Sequence, residues 1–132
     1  MGKKKLELEY ELKSNAANII WAIISTDSGL NKWLADEVTS GKDTMTFVWG
    51  DPDGNHERRT AIIQSMVKNS HIRMQWEDEQ DPNAYLEIRM CKSDLTNDYH
   101  LTITDFAWEE DVESLHDIWD QNFEVLHRNT GL

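Results

Sequence analysis

The sequence lacks the features that mark several common classes of protein. Cys91 is the single cysteine among 132 residues, which excludes an internal disulfide bridge. No apolar run approaches the ~18 residues that a membrane-spanning helix needs. The first ten residues, MGKKKLELEY, contain no apolar segment of the kind found in secretory signals. We therefore expect a cytoplasmic protein that does not associate with a membrane.

Positive charge is also scarce. The chain has 13 lysines and arginines against 25 aspartates and glutamates, a formal net charge of −12. Such a charge repels the phosphates of nucleic acids and of anionic membranes. We therefore expect no nucleic-acid partner.

Motifs for catalysis or metal binding are missing as well. None of the five histidines stands in an H-x-H or H-E-x-x-H pattern, so no metal site is predicted. There is no glycine-rich phosphate cradle and no serine nucleophile motif. A cyclase-like enzyme would need an inward acid–base pair, of which Asp105 supplies one half. We predict no catalytic residue and no cofactor, and we do not expect an enzyme. The histidines are His56, His71, His100, His116 and His127.

What the sequence does contain is a series of alternating apolar and polar residues, the pattern of half-buried strands. Charged side chains occupy the other face, where Glu87 and Arg89 are expected to pair with Arg73 towards solvent. The predicted strands cover residues 6–12, 36–40, 44–49, 56–67, 72–76, 85–91 and 99–106.

Three helices are predicted between and after these strands. Ser14 is expected to cap a mostly buried helix from residue 15, and Ser28 a short helix over residues 30–34. A long helix over residues 109–128 carries an apolar stripe and ends before Gly131. At 1.5 Å per residue it spans ~30 Å, enough to cross a small sheet. The stripe consists of Val112, Leu115, Trp119, Phe123 and Leu126.

The order is therefore one strand, two helices, six strands and a long helix. An antiparallel sheet with one polar face must cover its apolar face, and the last helix is the element long enough to do so. The length favours one domain over residues 1–132. These observations predict an α+β fold of the order β-α-α-β6-α.

This order resembles the helix-grip fold of the START-like, birch-pollen-allergen and polyketide-cyclase proteins. The segment TDSGLNKWLADEV, residues 26–38, resembles Aha-type activators of the ninety-kilodalton heat-shock chaperone. The segment QWEDEQDPNAYLEIRM, residues 75–90, the strand end ITDFA and the closing helix resemble a small START-like family of Bacteroidetes bacteria. The resemblance implies a curved antiparallel sheet of six to seven strands wrapped round the C-terminal helix. It also implies a small hydrophobic ligand held between sheet and helix.

Large aromatic and methionine side chains are the best candidates to line such a ligand cavity. Asp105 occupies the next inward position after Ile103, where it either orients a ligand or bonds to backbone N–H groups at the strand end. The apolar candidates also suit a solid core, and spacing does not separate the two interpretations. A filled core would favour a protein-interaction module, either a chaperone cofactor or a homodimer. The candidate pocket residues are Trp33, Phe47, Trp49, Met74, Trp76, Ile88, Met90, Ile103, Asp105 and Trp119, with Met45, Met66 and Phe106 as further members of the apolar set.

Overall fold

Seven strands and three helices make up the computed structural model, which describes residues 2–51 and 53–132. The predicted order of elements is confirmed. The strands are β1 (Lys4–Glu11), β2 (Glu37–Ser40), β3 (Thr44–Gly50), β4 (His56–Val67), β5 (His71–Trp76), β6 (Leu86–Lys92) and β7 (Tyr99–Ala107); the helices are α1 (Ala17–Ser25), α2 (Asp27–Leu30) and α3 (Val112–Thr130), and a short 3₁₀ turn (Glu109–Asp111) precedes α3.

The strands form one antiparallel sheet in the order β1-β7-β6-β5-β4-β3-β2. Consecutive strands pair as hairpins from β2 to β7, and β1 then pairs with β7 at the far side. The register aligns inward apolar residues across neighbouring strands: Ile103 lies opposite Leu8 on one side and Ile88 on the other. A bulge between Ile63 and Ser65 shifts the register of the long strand β4. Alternation therefore builds one continuous apolar face.

The helices cover this face in two parts. Helix α1 packs against β5 and β6, whereas α3 packs against β1 and β7. Trp119, Phe123 and Leu126 are the buried residues of α3, as the stripe predicts. Gly131 ends the helix in a left-handed conformation with φ of 76°, and its N–H bonds to the carbonyl of His127. This is the predicted helix-grip arrangement, in which the sheet wraps round a long closing helix.

Two details of the helices differ from the sequence prediction. Helix α1 begins at Ala17 and not at residue 15. Ser14 lies before the helix, where its hydroxyl accepts a hydrogen bond from the N–H of Ala16. The second helix lies at Asp27–Leu30, before the predicted range of 30–34. Its cap is Thr26, whose hydroxyl accepts a hydrogen bond from the N–H of Gly29 at 3.0 Å.

The convex face of the sheet carries a paired charge cluster. Glu87 lies 3.1 Å from Arg73 and 3.4 Å from Arg89, so the predicted pairing is confirmed. The expectation that these pairs face solvent is wrong at Glu87, which is 7% exposed. Arg73 also lies over the ring of Tyr85, with its guanidinium carbon 3.9 Å from the centroid, so long side chains shield the carboxylate from water.

Candidate functional site

A cavity of about 350 Å³ lies between α3 and the β3–β7 part of the sheet. Because α3 packs on β1 and β7, the half of the curved sheet that contains β3 and β4 stands away from this helix. We name this cavity the Asp105 pocket. Its lining is Leu34, Trp49, Glu57, Arg59, Trp76, Leu86, Asp105, Leu115, Ile118, Trp119 and Asn122.

Strand register places the side chains of the sheet wall. On β3 and β4, Trp49 lies opposite Glu57, and Phe47 lies opposite Arg59. Because alternate residues of a strand share one face, Glu57 and Arg59 face the same way as the buried Ala61.

The aromatic part of the wall is held by ring contacts and a hydrogen bond. The indole N–H of Trp49 donates to the carbonyl of Leu34 at 2.8 Å. The rings of Trp49 and Trp76 lie 6.2 Å apart, and both contact Phe47, at 5.9 and 5.4 Å between centroids. The hydrogen bond fixes the orientation of the half-buried Trp49 indole, and the contacts with Phe47 hold both indoles in the wall.

Asp105 is the polar group at the inner wall. Its Oδ2 accepts a hydrogen bond from the indole N–H of Trp119 at 3.0 Å, and its Oδ1 accepts one from the backbone N–H of Phe106 at 2.8 Å. Burial raises the pKa of the Asp105 carboxyl to about 6, although the Trp119 and Phe106 hydrogen bonds act in the opposite direction. Asp105 thus bonds to a backbone N–H at the strand end, as one interpretation of the sequence predicts, and it also lines a cavity.

Arg59 forms part of the opposite wall and is balanced by a carboxylate. Its guanidinium donates to both oxygens of Asp78, at 2.8 and 3.3 Å, and lies over the ring of Trp76 at 4.2 Å. These hydrogen bonds from Arg59 lower the pKa of the Asp78 carboxyl. Glu57 is exposed and forms no ion pair with any residue that the structure describes.

The ten residues predicted from the sequence separate into two groups. Four of them line the pocket, namely Trp49, Trp76, Asp105 and Trp119. The other six lie in the packed core beside it and do not line it: Trp33, Phe47, Met74, Ile88, Met90 and Ile103.

Two further members of the predicted apolar set lie elsewhere. Phe106 packs against Tyr85, 5.0 Å between ring centroids, on the face of the sheet away from the pocket. It follows Asp105 directly, and neighbouring strand residues point to opposite faces. Met66 is 44% exposed near the end of β4 and lines none of the pocket. The expectation that they contribute to the cavity is wrong.

Sequence reasoning missed part of the lining. Leu115 and Asn122 lie four residues before and three residues after Trp119, and Ile118 lies three residues after Leu115. This is the spacing of one helix face, a signal that was available. Glu57 and Arg59 stand four and two residues before the apolar Ala61, the spacing of one strand face, so they could also have been found from the sequence. Leu34 and Leu86 carried no signal that separates a wall from a core.

One group of side chains has the composition of a metal site, but its members already make contacts with each other and with the rest of the fold. Ligand atoms of His116, Asp117 and Asp120 lie within 4.8 Å of one another. Asp120 already accepts a hydrogen bond from the hydroxyl of Tyr10 and pairs with His116 at 3.2 Å. We assign no metal to it.

Across residues 2–51 and 53–132, no helix is both long and apolar enough to cross a membrane.

Comparison with known proteins places the chain in a defined group. A family model described as a START-like superfamily domain matches residues 1–132. A solution NMR structure from Bacteroides fragilis is 41% identical, with 97% of this chain and 91% of that chain covered and a TM-score of 0.64. A search of curated proteins finds no match.

Two more distant structures share the fold. An Aha1 dimer from Colwellia psychrerythraea is 16% identical, with 98% of this chain and 96% of that chain covered and a TM-score of 0.67. An AHSA1-like protein from Aeromonas hydrophila is 10% identical, with 97% and 92% covered and a TM-score of 0.76. The resemblances drawn from the sequence, to START-like and Aha-type proteins, are confirmed at the level of family and fold.

Proposed function

The chain belongs to the START-like superfamily, and we propose that it binds a small, largely apolar molecule in the Asp105 pocket. The observation that carries this proposal is the pocket itself, a cavity of about 350 Å³ beside the packed core. Ligand sites in proteins usually measure ~300–1,000 Å³ and combine apolar walls with a few polar groups. The size favours a ligand of one or two rings rather than a long lipid.

In this proposal the four predicted residues on the wall contact the ligand. The indoles of Trp49, Trp76 and Trp119 supply flat apolar surface, and Asp105 supplies a hydrogen-bond acceptor. The six predicted residues in the core support the wall from behind. Residues 1–132 would then act as one binding domain.

The test uses a neutral fluorescent naphthalene dye and two matched variants. The dye should quench tryptophan emission and raise the melting temperature as its concentration rises, because a ligand that binds only the folded state stabilises it. Ile118 lines the pocket and is 52% exposed, so Ile118→Trp should obstruct the mouth and weaken dye binding by about tenfold. Ile62 is 45% exposed and lies outside the pocket, so Ile62→Trp should bind like the parent.

The comparison of the two variants decides the outcome. Both replace an exposed isoleucine by tryptophan, so they share any general effect of a larger apolar surface. Equal weakening in both, or no binding in the parent, would exclude the pocket as the site.

The second candidate function is a protein-interaction module. The specific observation in its favour is that three apolar side chains of β4 are exposed by nearly half: Ile62, Met66 and Val67. If they form a homodimer contact, the mass measured by light scattering should double with rising concentration, and Ile62→Lys should restore the monomer. A monomer at all concentrations would leave ligand binding as the better proposal.

A further inference from the structure

The carboxylate of Asp105 retains unused acceptor capacity inside the pocket. An ionised carboxylate offers about four acceptor positions. Trp119 and Phe106 each occupy one of them, as described above. No further donor to Asp105 occurs among the described residues. A ligand in the pocket therefore meets an acceptor that the protein has left partly free.

The charges around this carboxylate do not neutralise it locally. Arg59 faces the same pocket, but both oxygens of Asp78 bind its guanidinium. Lys3 is the other nearby cation, and it pairs with Glu79 at 2.7 Å. Glu57 adds a further negative charge to the wall. The balance of charge that a ligand meets in the pocket is therefore negative.

The remaining walls suit a positive charge as well. Tryptophan faces attract cations within about 6 Å of the ring centroid. Arg59 already occupies one face of Trp76 in this way, at 4.2 Å. Trp49 and Trp119 offer further indole surface in the same cavity.

We propose that the Asp105 pocket selects organic cations, in which an apolar ring or chain carries an ammonium or amidinium group that donates hydrogen bonds to Asp105. This inference rests on the proposed function, because it names the ligand class for the same site. A neutral alcohol would donate a hydrogen bond to Asp105 but would gain nothing from the negative charge of the carboxylate. An anion would have to compete with Asp78 for Arg59.

The experiment compares three naphthalene probes of one shape: 2-naphthylmethylamine, 2-naphthylmethanol and 2-naphthoate. They present a cation, a neutral donor and an anion on the same ring. Titration at pH 7.5 should give the amine an affinity about tenfold above that of the alcohol, since charge-assisted hydrogen bonds are the stronger kind. The carboxylate should bind weakest.

Matched variants assign the preference to one group. Asp105→Asn keeps the shape and an acceptor for Trp119, so it should remove the advantage of the amine while changing alcohol binding by less than about threefold. Asp94→Asn removes the same charge on an exposed turn and should leave the preference intact. Glu57→Gln, a substitution at an exposed position, should lower the advantage in part and serves if Asp105→Asn fails to fold.

The pH dependence gives an independent readout. The charged groups that surround Asp105 are Glu57 and Arg59 from β4 and Lys3 from the N-terminal segment, while the pocket-lining residues of α3 are uncharged. Amine binding should weaken as the pH falls below about 6, where Asp105 becomes protonated, and it should level off once the tenfold advantage over the alcohol is lost. Alcohol binding should stay nearly constant over the same range.

The possible outcomes are distinct. If the alcohol binds as tightly as the amine, or if Asp105→Asn preserves the preference, the inference is overturned and the proposed function stands. If none of the three probes binds the parent protein, both are overturned.

Discussion

Replacing Asp105 by asparagine should stabilise the folded chain in a way that depends on pH. The carboxyl has a pKa of about 6 in the fold against an ordinary value of 3.8. Each tenfold change in proton affinity corresponds to about 1.36 kcal/mol, so ionised Asp105 costs the folded state about 3 kcal/mol. The folded state holds this proton more tightly than the unfolded state. The contribution is therefore fully favourable below pH 3.8 and is lost as the pH rises through about 6.

The assay is urea unfolding of the parent and of Asp105→Asn at a series of pH values, followed by tryptophan emission. The sequence has an isoelectric point near 4.7, so measurements should start at about pH 5 to avoid precipitation. Between pH 5 and pH 8 the difference in unfolding free energy should grow by about 1.5 kcal/mol in favour of the variant. Because both proteins share every other titrating group, the difference isolates Asp105.

A flat difference over this range would refute the reasoning. It would mean that the pKa of Asp105 in the fold is no higher than its ordinary value, so that the hydrogen bonds from Trp119 and Phe106 balance or outweigh its burial.

Four further predictions concern stability and partners. Trp119→Ala removes a ring that is 3% exposed, and thermal or urea unfolding should reveal a loss of ~3–5 kcal/mol. Gly29→Ala would place a Cβ 1.9 Å from the carbonyl oxygen of Ala22, so its loss should exceed the ~1–3 kcal/mol of ordinary overpacking, and wild-type melting would contradict the α1–α2 packing. Glu87→Gln should lower the unfolding free energy by ~1–3 kcal/mol in urea titrations, because it weakens a buried partner of Arg73. With a net charge of −12 the protein should not retard duplex DNA on gels at physiological salt, and salt-sensitive binding would contradict this.

Much of the fold was predictable because its strands are half-buried. A strand with one wet face must alternate, and the residues opposite Ile103 in the sheet, Leu8 and Ile88, both follow that rule. The second helix was misplaced because Thr26, Asp27 and Gly29 favour both turns and helix caps. Packing against α1 decides whether this segment forms a turn or a helix. That tertiary contact cannot be read from the local sequence.

The pocket was predictable only in part, for a different reason. Met74 and Trp76 both stand on the apolar face, yet the first is core and the second lines the cavity. What separates them is the path of α3 across the sheet, a property of the whole fold. Asp105 was the exception, because a carboxylate at an inward position is visible in the sequence itself.

The pairing of β1 with β7 has a consequence for how the chain is made. Tyr10 of β1 lies opposite Leu101 of β7. Strand β1 is therefore synthesised long before the strand with which it pairs. At a translation rate of ~5–20 residues per second, the delay is on the order of 5–20 seconds. During that time Leu6, Leu8 and Tyr10 are exposed to other nascent chains. We expect the glutamates that alternate with them, Glu7, Glu9 and Glu11, to oppose aggregation by charge repulsion until β7 has been synthesised.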